Sequence, residues 1–161
     1  MSYARFASMI VVATLVMFGL MYLNSYALDH VWFSETRAYM ALVMGATMAI
    51  IMLAFMLDMY ASRSLNVAIV VVAAIVFASA LWLVRSQETV DDVSYMKAMI
   101  PHHSIAILTS RRAHIKDERV RGLADAIIAT QLREIAEMEG LIADLEANPP
   151  PADAPDLPPG E

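Results

Sequence analysis

The chain has no cysteine, only five glycines, and in its first 84 residues only six of its 28 charged side chains. The missing thiols exclude disulfides, thiolate zinc sites, iron–sulfur clusters and a cysteine nucleophile. No phosphate loop, dinucleotide fingerprint or nucleophile–base pair is present, so an enzyme is not expected. A net charge of −6, without basic runs interleaved with aromatics, argues against nucleic acid as a partner. What the chain has in excess is apolar surface. Of its 161 residues 59% are apolar and 17% charged, against about 45–50% and about 25% in soluble domains. Mean hydropathy is +0.56. A soluble globule is therefore not expected.

The apolar excess is concentrated at the front. Residues 6–23, 38–57 and 67–84 are three uncharged runs, each long enough to cross the roughly 30 Å hydrocarbon core as a helix. Ser25-Tyr26-Ala27 has the small-x-small form of a signal-peptidase site, but the first run is read as a retained span. Tyr22, Tyr26, Trp32, Phe33 and Tyr39 flank the first loop as an interfacial aromatic belt would. Arg5 and Arg63 fall on one side of the three spans and Arg37, Arg85 and Lys97 on the other, so the charge count alone sets no orientation. An amino terminus in the cytoplasm and a carboxyl-terminal domain outside is the expected arrangement.

Past Arg85 the pattern becomes charged and amphipathic. Thr89-x-x-Asp92 fits a capping box, and helix is expected from Val90 to about Ile115, interrupted at Pro101. Asp117 and Glu118 cap a second helix whose apolar positions from Val120 to Leu145 recur about every 3.5 residues, until Asn148-Pro149-Pro150 stops it. The domain plan is thus a transmembrane region over 1–84, a helical hairpin over 85–148, and a Pro-rich acidic tail over 149–161 expected to be disordered. The fold class is all-α. A lone hairpin leaves an apolar stripe uncovered. Either a second copy completes a four-helix bundle or the membrane-proximal parts of the same chain cover the stripe.

Met96, Met99 and His103 share one helical face, and His102 lies one turn from Met99. With a turn near 117, residue n faces about residue 234 − n. His103 then faces Gln131 and Met96 faces Met138, with Glu134 within a turn. Thioether and imidazole suit copper, the thioether favouring Cu(I). The competing reading makes the methionines ordinary core and pairs the histidines with Gln131 or Glu134.

Met99-Ile100-Pro101-His102-His103, followed by Ala129-Thr130-Gln131-Leu132-Arg133-Glu134-Ile135 and Met138, resembles the bacterial ferritin-like domain family of unknown function with a Met-x-Pro-His-His motif. Its periplasmic CopM-like members bind copper. The resemblance covers residues 89–146 and extends to membrane-anchored members. It implies a ferritin-like hairpin or bundle outside the cytoplasm of a bacterium, anchored in the inner membrane. The matching positions are Met99, His102, His103 and Met138 as copper ligands, with Met96, Glu134 and Gln131 beside them. The chain departs from the family in having Ser104-Ile105 after the histidines, and it lacks the methionine-rich extensions of dedicated copper binders. High-capacity storage is therefore not expected. The Glu-x-x-His signature of di-iron sites is also missing.

Met40, Met44, Met48, Met52 and Met56 form a ladder through the second span, beside Ala41, Gly45 and Ala49. Such a ladder either packs helices or passes Cu(I), and the Met-x-x-x-Met element of Ctr-type copper transporters is similar. Three functions follow: a membrane protein whose periplasmic domain binds copper, with a role in copper binding or tolerance; a non-catalytic structural or accessory subunit without metal; or a Ctr-like permease. The expected partners are the bilayer and either a second copy or a larger membrane complex.

Overall fold

The computed structural model describes residues 2–151 and 153–157. It comprises five helices: α1 (Tyr3–Leu20), α2 (Glu35–Phe55), α3 (Arg63–Ser86), α4 (Asp92–Arg112) and α5 (Glu118–Ala147), with a 3-10 turn at Leu57–Met59. Among the described residues there is no strand. The protein is all-α, and α1, α2 and α3 are long and apolar enough to cross a membrane.

Each helix starts at a polar cap. Ser2, Ser34, Ser62, Asp91 and Asp117 each accept a backbone N–H of the first turn, a contact worth about 1 kcal/mol. These caps explain why the three long helices begin ahead of the uncharged runs and take in Glu35, Arg37 and Arg63. Hydropathy does not register a cap. The expected capping box at Thr89 is replaced by Asp91, which accepts from Ser94 N at 2.7 Å and from the Ser94 hydroxyl. Those hydrogen bonds hold the Asp91 carboxyl below its usual pKa. Thr89 instead bonds across to Glu35 Oε2 and Tyr39 OH, tying the α3–α4 link to the start of α2.

Helix α2 packs against both α1 and α3. Its buried seam is Ala41, Gly45, Ala46, Ala49 and Leu53, small residues that bring the backbones together where lipid offers no competing hydrophobic drive. A Cβ on Gly45 would lie 2.2 Å from Thr14 Oγ1, and that hydroxyl is held to α1 by its bond to Ile10 O. Met44, Met48, Met52 and Met56 border this seam half-buried, and Met52 and Met56 pack against Phe6, Leu53 and Tyr60. α1 buries only Phe6; Val11, Val12, Leu15 and Val16 on its surface are exposed, as side chains meeting lipid would be.

α4 and α5 form the hairpin around Met96, Ile100, Ile107, Ile135, Met138 and Ile142. Helix α4 ends at Arg112, three residues before the expected end, and runs unbroken through Pro101. The ring is fully buried, and its packing offsets the lost bond to the Lys97 carbonyl. The α1–α2 loop covers one side of the hairpin: Tyr26 and Trp32 pack against its core, Arg111 donates to Tyr26 OH at 2.6 Å, and Lys97 lies over the Trp32 ring while pairing with Glu146. These two aromatics therefore pack on the hairpin. Beyond α5 the described tail has one turn, with Ala154 N donating to Pro151 O. Ala152 and residues 158–161 of the expected acidic tail lie outside the described residues.

Gly45→Leu is expected to cost about 1–3 kcal/mol by forcing α1 off α2, read as a lower melting temperature in detergent. Gly19→Ala, where the added methyl meets nothing within 4 Å, is the control and should not lower it.

Candidate metal site

Helix α4 presents chemically different residues to its two flanks. Toward the loop it buries Ser104, whose Oγ accepts from Tyr26 N at 2.7 Å and lies 3.0 Å from His30 Nδ1. The other ring nitrogen of His30, Nε2, lies 4.0 Å from Asp29 Oδ1. His30 is thus occupied in docking the loop. In the sequence Ser104 stands out only as a departure from the motif; its signal is a small polar residue in the i, i+4, i+7 row with Ile100 and Ile107.

The opposite flank carries the predicted site. His103 Nδ1 lies 3.3 Å from Glu134 Oε2, out of line for a hydrogen bond, so this buried nitrogen has no hydrogen-bond partner. Gln131 Nε2 donates to the same Glu134 oxygen at 3.3 Å. The expected register is met to within one turn, with Glu134 opposite His103 where Gln131 was placed. His102 is exposed, its ring centroid 6.2 Å from that of His103 and the planes 56° apart. Burial holds the His103 imidazole below its ordinary pKa, against the opposing pull of Glu134 and with a smaller push from His102. It is neutral at neutral pH, the form that ligates metal.

The methionines divide. Met99 is half-buried at the edge of the core, whereas Met96 and Met138 pack inside it. The structure therefore groups Met99, His102, His103, Glu134 and Gln131 on one flank, with the Met96 and Met138 side chains beneath. A ligating histidine commonly has a carboxylate at its other ring nitrogen, and Glu134 is so placed. Among the described residues no three His, Asp or Glu side chains converge, so this flank holds a partial donor set.

Residues 92–157 match the model of DUF305, a domain of unknown function. That domain coincides with the hairpin and the first part of the tail. The three membrane-type helices lie outside it. The chain is also 41% identical over 64 residues to the uncharacterized protein L153 of Acanthamoeba polyphaga mimivirus, a stretch that is 38% of this chain and 42% of the viral protein. The chain thus spans under half the length of that relative. No solved structure matches.

Ser104→Val strands the Tyr26 amide and His30 in a buried place, which costs about 1–3 kcal/mol. Hydrogen exchange at Tyr26 and its neighbours should speed up while α5 stays protected. Unchanged exchange would show that the hydroxyl does not hold the loop.

Proposed function

We propose that this is a multi-pass membrane protein whose helical hairpin binds copper, as Cu(I), in a role of copper binding or tolerance and not catalysis. The observation that carries the reading is His103: a neutral imidazole with a buried nitrogen facing the Glu134 carboxylate, beside exposed His102 and the Met99 thioether. Two imidazoles and a thioether are a borderline-to-soft set that suits copper. The accessible ligands are Met99, His102 and His103; Glu134 faces His103 Nδ1 without a hydrogen bond, and Gln131 donates to Glu134. Met138, the fourth ligand of the sequence reading, would have to turn out of the core to take part. The methionines of α2 border its packing seam, which favours a packing role for the ladder.

Cu(I) titrated anaerobically into the full-length protein in detergent, against a colorimetric chelator, is expected to bind with a dependence on Met99, His102 and His103. Binding should persist from neutral pH down to His103's ordinary value of 6.5 and weaken below it, because burial delays protonation of that ring. Equal affinity in the Met99→Ala/His102→Ala/His103→Ala variant would sink the site.

The hairpin and the α1–α2 loop lie at the same end of the helix array, since they touch. In this proposal that end is periplasmic, in a bacterial inner membrane, with the amino terminus cytoplasmic. Alkaline phosphatase fused after Glu161 should be active; an inactive phosphatase together with a fluorescent cytoplasmic reporter at the same position would invert the orientation.

A further inference from the structure

Helices α1 and α3 both pack on α2, and between them they leave a groove of about 640 Å³ whose floor is the seam of Gly45, Ala46 and Ala49. One wall is the stripe from Tyr3 to Leu15 on α1, the other the stripe from Leu65 to Val76 on α3. Both stripes recur at i, i+3, i+4 and i+7, so each wall is one continuous helix face. Among the described lining residues only Tyr3 and Thr14 carry a polar side-chain atom, and both hydroxyls are taken. Thr14 Oγ1 donates to Ile10 O at 2.8 Å; Tyr3 OH donates to Asn66 Oδ1 at 2.8 Å and accepts from Ser62 N at 3.2 Å. An occupant of the groove therefore meets hydrocarbon alone. Val11, Leu15, Leu65 and Val72 stand exposed along the walls, so the groove opens sideways to whatever surrounds the helices.

We propose that this groove is a binding site for one acyl chain of a phospholipid, drawn from the leaflet on the side of the α1 amino terminus. The inference rests on the membrane-spanning reading above and is independent of copper. An empty groove would forfeit dispersion contacts along both of its walls, and the surrounding hydrocarbon fills it. Two features select a single chain over a docked helix. Tyr3 reaches from α1 to α3, so at that end the walls stand one side chain apart, narrower than the roughly 10–12 Å of a helix with its side chains. The glycine of the floor is also closed, because Thr14 lies where a Cβ on Gly45 would be, and an incoming helix could not use it for close backbone contact. The length fits a chain as well. From Tyr3 to Leu15 is about 18 Å along α1, against about 15 Å for one leaflet's half of the hydrocarbon core. Tyr3 and Ser62 stand at the starts of α1 and α3, where Arg5 and Arg63 outnumber Asp58 and leave positive charge at the level of a lipid phosphate. The headgroup therefore lies at that end and the methyl end of the chain near Leu15 and Val76. The bound chain braces α1, a helix that buries only Phe6 by its own packing.

The test uses the full-length protein in phosphatidylcholine nanodiscs with a trace of phosphatidylcholine that carries a photoreactive diazirine, either near the carbonyl or at the methyl end of one chain. After irradiation the labelled residues are read by mass spectrometry. Labelling is expected to concentrate on the groove walls, the carbonyl-end probe on Ala7 and Leu65 and the methyl-end probe on Leu15 and Val76. Ala7→Phe/Ala68→Phe, which fills the groove from two exposed wall positions, should lower that labelling severalfold. Val12→Phe/Val71→Phe, at exposed positions outside the groove, should leave it unchanged. Equal labelling of the groove and of Val12, Val16 and Val71 overturns the site and leaves the three spans standing. A groove that cross-links to a second chain in place of lipid overturns it too. The reverse order of the two probes along the groove overturns the leaflet. Absence of label from α1, α2 and α3 with both probes overturns the membrane reading together with the site.

Discussion

The arrangement of this protein depends on one buried hydroxyl. Ser104 Oγ receives the Tyr26 amide and meets His30 at a point where α4 has no other polar group in its core-facing row. Water is excluded there, so an unmet hydroxyl or amide would cost more than the bond itself returns. The α1–α2 loop is thereby held on the hairpin, and Arg111 on Tyr26 and Lys97 on Trp32 extend the contact in both directions along α4. This joint is what ties the three membrane-length helices to the small hairpin. A two-helix unit of this size is near the lower limit for a single stable core, and the loop adds Tyr26 and Trp32 to it.

Covering one side of the hairpin leaves the other open. The residues there are not those of an ordinary solvated face: a half-buried imidazole against a carboxylate, a second exposed imidazole, a thioether and large apolar side chains on either side. The glutamine that holds Glu134 and the glutamate that backs His103 form a short chain of polar contacts directed at one ring. The proposed copper site accounts for this single flank. The three membrane-length helices pack differently: apart from Leu53 the buried seam of α2 is alanine and glycine, which lets the backbones approach closely.

Much of this was legible in the residues. Three apolar runs, the Asp117 cap and the stop at Asn148-Pro149 each express a local rule, and the structure keeps them. The register that set Met96 near Met138 and His103 within a turn of Glu134 followed from helix geometry once the turn was located. Other features escaped for physical reasons. Thr89 resembled a cap, but Asp91 binds the first-turn amides more strongly and frees Thr89 to reach α2. Pro101 breaks helices in the open, yet here its buried ring earns its place by packing. Tyr26 and Trp32 look like interfacial aromatics in any hydropathy reading, because amphipathic rings suit a bilayer edge and a protein surface equally well.

By itself, then, the sequence determined the helical class, the three membrane-length segments, the hairpin and the neighbourhood of the paired histidines, all consequences of periodicity and of residue types at short spacing. The tertiary structure alone decided which methionines are core and which lies at the edge, that His30 docks a loop and stands apart from His103, and that Ser104 is a joint. The last two depend on contacts across more than seventy residues of chain. No local propensity encodes such contacts: whether a polar side chain becomes a ligand, a pin or a solvated bystander is settled by which groups the fold brings to it.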